Sequence, residues 1–178
     1  TLDEKRVLAR FVGWGGLPQV FVPEYERLYD YETDKDGYWS DLYGQIFREK
    51  AEKAALGMEG YGLHKQIREA LGQEAYEAAR GSTLNAHYTA IPVIRAMHRA
   101  LDRLGVKGGR FLEPSAGIGH FLGAGEYQAG VEWVAVELDK GTGEILRLLY
   151  PDAHTVIGGY ENLNVPDNFF DAAISNVP

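Results

Sequence analysis

The most constraining stretch of this 178-residue chain is Phe111-Leu112-Glu113-Pro114-Ser115-Ala116-Gly117-Ile118-Gly119-His120-Phe121. An apolar run ends in a carboxylate, passes through Gly-x-Gly and resumes with helical character, which reads as strand, tight turn and helix start. Gly117 and Gly119 lack the Cβ that would hold a nucleoside away from the backbone. The helix start beyond them offers N–H groups without an intrahelical acceptor. A pyrophosphate-binding turn needs Gly-x-Gly-x-x-Gly, whereas position 122 is Leu and the next glycine is Gly123. The turn therefore fits a nucleoside ligand and is a poor fit for NAD.

A second acidic strand end strengthens this. In Trp133-Val134-Ala135-Val136-Glu137-Leu138-Asp139, Glu137 stands 20 positions after Gly117. A carboxylate at that spacing can accept both ribose hydroxyls of any nucleoside cofactor. Asp139 is the less favoured partner for the same role.

The chain divides near Ser82, giving a helical N-terminal region over residues 1–81 and an α/β region over 82–178. In the second part helical periodicity alternates with short β-rich runs. A helix is predicted over Pro92–Leu104, with Ile94, Met97, Leu101 and Leu104 on its apolar face. Strands follow over Arg110–Glu113, Glu132–Glu137, His154–Ile157 and Phe170–Ser175, with helices over Gly119–Gln128 and Thr142–Leu149 between the early ones. That order predicts a Rossmann-like α/β fold, a partial parallel sheet with right-handed crossovers.

The first part predicts a helix over Leu2–Val12 stopping at Gly13, then the turn Gly13-Trp14-Gly15-Gly16, pinned by burial of its Trp. An acidic turn at Asp30–Gly37 precedes helices at about Trp39–Leu56 and Leu63–Arg80, the latter bent near Gly72. Its Tyr and Glu residues suit a structural or docking role.

Composition removes several classes. With 45% apolar residues, three Trp, eleven Tyr and seven Phe the chain is globular. No apolar run approaches the roughly 18 residues of a membrane span, so no membrane association and a cytoplasmic location are expected. Cys is absent and the five His are scattered, so neither a disulfide framework nor a metal site is expected. His120, just past the glycine turn, either touches the cofactor or, the favoured reading, is a helix-start residue facing solvent.

The remaining motif is Ser175-Asn176-Val177-Pro178, at the end of the strand Phe170-Asp171-Ala172-Ala173-Ile174. Together with the glycine turn it resembles the catalytic Asn/Asp-Pro-Pro-Tyr/Phe motif of S-adenosylmethionine-dependent amino-methyltransferases, with Val177 in place of the first Pro. The resemblance implies that Asn176 and the carbonyl after it accept hydrogen bonds from a target amine, with Val177 and Pro178 completing the catalytic motif. It places Tyr88 and Thr89, in Asn85-Ala86-His87-Tyr88-Thr89, over the methionine end of the cofactor. Glu113 either meets the cofactor's amine or partners a helix N-terminus. Pro114, Ser115, Ala116, Gly117, Gly119, Phe121, Glu137 and Leu138 line the cofactor, and Tyr160 or Glu161 takes its adenine.

Phe11-Val12-Gly13-Trp14-Gly15-Gly16-Leu17-Pro18 and Tyr76-Glu77-Ala78-Ala79-Arg80 extend the resemblance to large phage and mobile-element proteins that join an adenine-N6 DNA methylase to a helicase. It implies the cofactor-binding half of a methyltransferase domain cut at its catalytic motif, inactive alone, with a helicase region downstream. The net charge of −8 is evenly spread: residues 1–80 hold 11 Lys/Arg against 15 Asp/Glu, and residues 81–178 hold 7 against 11. DNA would therefore be gripped by regions outside this chain. Two other readings fit the same residues. One is an amino-methyltransferase acting on protein glutamine or RNA. The other is a non-catalytic cofactor-binding or scaffold domain.

Overall fold

Four short strands pair in parallel: β1 (Gly109–Glu113), β2 (Val131–Glu137), β3 (His154–Ile157) and β4 (Ala172–Ala173), in the order β3-β2-β1-β4. The architecture is that of a Rossmann-like α/β protein. The structure is a computed structural model that describes residues 1–178 except 12, 35–36, 38–39, 84–87, 126–129 and 178.

The described residues form two compact units, one of Thr1–Gly15 with Asn85–Pro178 and the other of Gly16–Leu84. The first fifteen residues thus group with the sheet, not with the helices that follow them as the reading of 1–81 as one region had it. The reason lies in contacts that the local pattern does not encode. Helix α1 (Leu2–Leu8) packs against α7 (Lys140–Leu149), and Lys5 Nζ donates to the Leu149 carbonyl at 3.1 Å. Cations are favoured at such a helix C-terminus. Helix α1 stops at Leu8, short of the expected Val12, a residue outside those described.

In the second unit, α2 (Pro23–Thr33), α3 (Asp41–Lys53) and α4 (Gly57–Ser82) enclose a core of Tyr25, Leu28, Ala51 and Tyr61. Helix α2 occupies the first half of the expected acidic turn. Tyrosines of this unit are structural: the Leu56 N–H donates to the Tyr25 hydroxyl at 3.1 Å, and the Tyr61 hydroxyl donates to Glu32 at 2.7 Å. Helix α4 kinks at Gly72, with φ 74° and ψ 170°, where the bend was expected.

In the first unit the alternation of side chains across each strand sorts the core onto two faces. Phe111, Ala135 and Ile174 face one side, where Ile94 of α5 (Ile91–Arg103), Phe121 and Leu122 of α6 (His120–Ala124) and Leu146 of α7 pack. Leu112, Val134 and Val136 face the other, covered by Leu163, Phe169 and Phe170 of the β3–β4 connection. Leu104, expected on the apolar face of α5, is 80% exposed because the helix ends at Arg103. His98 takes the buried place, its Nε2 at 3.0 Å from the Phe121 carbonyl. Strand β4 is shorter than the expected Phe170–Ser175. Phe169 and Phe170 meet edge to face and pack below the sheet, and ladder bonds continue only through Asp171 N–H to Arg110 O and Ile174 N–H to Leu112 O.

Asp139 fixes the start of α7, accepting from Thr142 N–H at 2.8 Å and from its hydroxyl at 2.7 Å. Asp139→Ala should cost about 1–2 kcal/mol, lowering the thermal midpoint by roughly 2–4 °C per kcal/mol, with Asp139→Asn recovering most of it. Scanning calorimetry checks this, and an unchanged midpoint for Asp139→Ala would contradict the capping role.

Candidate functional site

The chain leaves β1 for β2 and β3, then returns to β4 on the opposite side of β1. In open parallel sheets, such a reversal opens a crevice at the carboxyl ends of the strands, where ligands bind. Glu113 closes β1, Glu137 closes β2, Gly158 follows β3, and Ser175 and Asn176 follow β4. The residues singled out by motif therefore come together at one end of the sheet because parallel pairing puts every strand's C-terminus there.

The glycine turn is tied to the neighbouring strand by two bonds. Ala116 N–H donates to the Val136 carbonyl at 2.8 Å, and Gly117 N–H donates to Glu137 Oε2 at 2.8 Å. The other Glu137 oxygen accepts from Asp139 N–H at 2.8 Å. A carboxylate has about four acceptor positions, so these bonds orient Glu137 and leave acceptor capacity for further donors. Burial raises its pKa, partly offset by the Asp139 and Gly117 N–H groups.

Tyr88 lies over this turn. A Cβ built on Gly117, whose φ is +56°, would stand 3.4 Å from Tyr88 Cε1. Burial, with Glu137 and Asp139 nearby, raises the Tyr88 hydroxyl to about 12, so it is a neutral hydrogen-bonding group at physiological pH. The His120 ring meets Tyr88 edge-on at 4.8 Å. His120 is half-buried and its pKa is lowered by burial, so it does not take the solvent-facing position expected of it.

Glu113 is only 1% exposed, and its Oε2 has no hydrogen-bond partner among the described residues. Burial, together with the nearby Glu137, raises its pKa to about 9. Thr89 Oγ1, His120 Nδ1 and Ser175 Oγ are likewise buried and unpartnered among the described residues. Buried polar atoms are nearly always satisfied, and each exception costs roughly 1–3 kcal/mol. Four such atoms on segments at the carboxyl end of this sheet mark a place shaped for a polar ligand.

The other predicted residues divide by position. Pro114 and Ser115 are half-buried in the turn. The side chains of Ala116 and Phe121 belong to the core. Gly119, with φ 86°, caps α6, and a Cβ there would stand 2.6 Å from Tyr150 Cε2 and 2.7 Å from Leu146 Cδ1. Its missing side chain thus makes room for protein packing, where ligand approach was expected. Leu138 is 76% exposed, Asp139 is committed to its helix cap, and Tyr160 and Glu161 are exposed beyond β3. Asn176 and Val177 are exposed after β4, while Pro178 and residues 85–87 lie outside the described residues. Sequence reasoning missed Tyr150, whose pKa is raised by burial and then by Glu113, because its place beside the turn depends on how α7 packs.

No protein-family model matches the chain. A stretch of 142 residues, 76% of the chain, is 30% identical to Defense against restriction protein B of Escherichia phage P1, and covers 6% of that protein's length. Among solved structures, the chain is similar to a candidate RNA methyltransferase from Pyrococcus horikoshii, with a TM-score of 0.45 and 23% identity over 52% of this chain and 48% of that one. It is also similar to the methyltransferase subunit of a type I restriction-modification system from Streptococcus thermophilus, with a TM-score of 0.44 and 17% identity over 89% and 43%. The fold assignment rests on the sheet order itself.

The folded chain holds the Glu113 proton to about pH 9, whereas the ordinary value is 4.5, so the folded state is progressively disfavoured as pH rises between these values. Glu113→Gln should therefore raise the thermal midpoint of the ligand-free chain at pH 8 and flatten its decline from pH 5 to 9. Midpoints that track wild type across that range would show that Glu113 ionises without penalty.

Proposed function

We propose that this chain forms the cofactor-binding half of an S-adenosylmethionine-dependent methyltransferase acting on the exocyclic N6 amine of adenine in DNA. The observation that carries the reading is a buried carboxyl, Glu113, whose Oε2 has no hydrogen-bond partner among the described residues, beside a carboxylate pinned to the glycine turn, Glu137. The donor set fits the group. The unpartnered Oε2 of Glu113 suits an ammonium, Glu137 retains lone pairs for ribose hydroxyls, and the Tyr88 hydroxyl over the turn, with the buried Thr89 Oγ1 next in sequence, would hold the methionine end. Tyr160 is exposed after β3, free to stack on an adenine, with Glu161 beside it.

S-adenosylmethionine, when bound, supplies an electrophilic methyl group. The chain's own contribution is orientation: Glu113 and Glu137 fix two ends of the ligand, and the Glu137–Gly117 bond keeps the turn at one distance from β2. Asn176, leaving β4 at the same end, would accept a hydrogen from the target amine and keep electron density on its nitrogen. No protein nucleophile is required.

The similarity to a phage protein named for defence against restriction supports a role in marking or protecting mobile DNA. The even acidity of the chain supports a DNA grip, and base flipping with it, supplied from outside this chain, where the resemblance implies a helicase region. Val177 at the first Pro position favours a second reading, a domain that binds cofactor without transferring methyl groups.

Calorimetric titration with S-adenosylhomocysteine tests the reading. Wild type should bind, and Glu137→Ala should lose about tenfold or more in affinity, the scale of a lost charge-assisted contact of about 1.5–3 kcal/mol. Absence of binding by a demonstrably folded chain, or equal binding by Glu137→Ala, would overturn it. In the whole protein, loss of methyl transfer with retained cofactor binding in Asn176→Ala separates the catalytic reading from the second one.

A further inference from the structure

Residues 11–15 lie far from the glycine turn in sequence but within the same compact unit. Phe11 and Trp14 meet edge to face at 5.2 Å, and Gly13 between them in sequence is buried with φ +71°. A Cβ built on Gly13 would stand 2.6 Å from Tyr88 Cε2 and 2.8 Å from the Tyr88 hydroxyl oxygen. On the other edge of the same ring, Cε1 lies 3.4 Å from the corresponding point on Gly117. The phenol end of Tyr88 therefore fills the space that the missing side chain of Gly13 leaves, and lies over Gly117 with room for a methyl group between them. His120 closes a third side.

We propose that Gly13 is a positioning residue of the cofactor site: its close approach is a clamp that seats the Tyr88 ring over the glycine turn, and ligand affinity depends on it. This rests on the reading of the crevice as a nucleoside-cofactor site. Gly13 acts through Tyr88. Any L side chain at position 13 meets both a disfavoured positive φ and the Tyr88 ring, and the ring is the part able to move. Gly117 leaves a methyl-sized space on the other edge of the ring, so the displaced ring can shift across the turn and lose the seat it holds in wild type. The N-terminal segment thereby becomes part of the binding machinery although it stands outside the strand-and-turn motif.

A double-mutant cycle on the full chain tests the clamp, with S-adenosylhomocysteine as the probe and thermal midpoints confirming that each variant is folded. Gly13→Ala should weaken binding about tenfold in the wild-type background and less than about twofold in the Tyr88→Ala background, the signature of coupled residues. Fluorine NMR of 3-fluorotyrosine-labelled protein, with the Tyr88 resonance assigned by Tyr88→Phe, reads the ring without ligand. In Gly13→Ala that resonance should shift from its wild-type position. Equal losses in the two backgrounds, an unaltered Gly13→Ala affinity, or an unmoved Tyr88 resonance would each overturn the clamp while leaving the cofactor reading in place. Failure of folded wild type to bind the probe would overturn the cofactor reading and the positioning role with it.

Discussion

The bond from Gly117 N–H to Glu137 Oε2 joins the two strand ends that define the crevice. Without it the described hydrogen bonds from the turn after β1 to β2 would reduce to the backbone bond from Ala116 to Val136. Glu137 also accepts from Asp139 N–H, and Asp139 in turn caps α7, so one carboxylate links the glycine turn, the end of β2 and the start of the next helix. A charged acceptor strengthens these bonds relative to neutral ones. The turn holds its shape because three elements converge on that side chain.

The same arrangement concentrates negative charge in a poorly solvated place. Burial and the proximity of Glu137 press Glu113 toward its neutral form, and burial does the same more weakly to Glu137, whose N–H partners work against it. A cation entering the crevice relieves both effects, and a ribose hydroxyl uses the capacity that backbone donors leave on Glu137. Tyr88, neutral and held over the turn, adds a polar tip without further charge. On the proposed reading, this electrostatic balance suits a positively charged nucleoside and opposes a free phosphate.

Strands β1, β2 and β3 were legible in the sequence because each is an apolar run bounded by glycine or by an acidic end, and their boundaries fall within a residue of those predicted. Glu113, Gly117 and Glu137 were legible for the same reason, since strand ends and tight turns leave local marks. What was not legible depends on contacts between distant segments. The apolar spacing of α5 continues to Leu104, but the helix ends first and His98 is buried in its stead. Phe121 reads as part of the motif and serves the core. Gly119 reads as a ligand-approach glycine, yet Tyr150 from the end of α7 fills the space beside it. The placing of residues 1–15 with the sheet rests on Lys5 against Leu149 and Gly13 against Tyr88, pairs that no window along the chain brings together.

The central claim is that Glu113 is a protonated carboxyl awaiting a cation at the carboxyl end of β1. Proton release on ligand binding tests it most directly. S-adenosylhomocysteine is titrated into the chain at pH 7.5 in buffers of different ionisation enthalpy. The account predicts about one proton released per ligand bound by wild type and none by Glu113→Gln, since only a group that ionises on binding gives up a proton. Binding by wild type with no proton released would contradict it, placing the ligand's charge elsewhere and leaving Glu113 a structural residue.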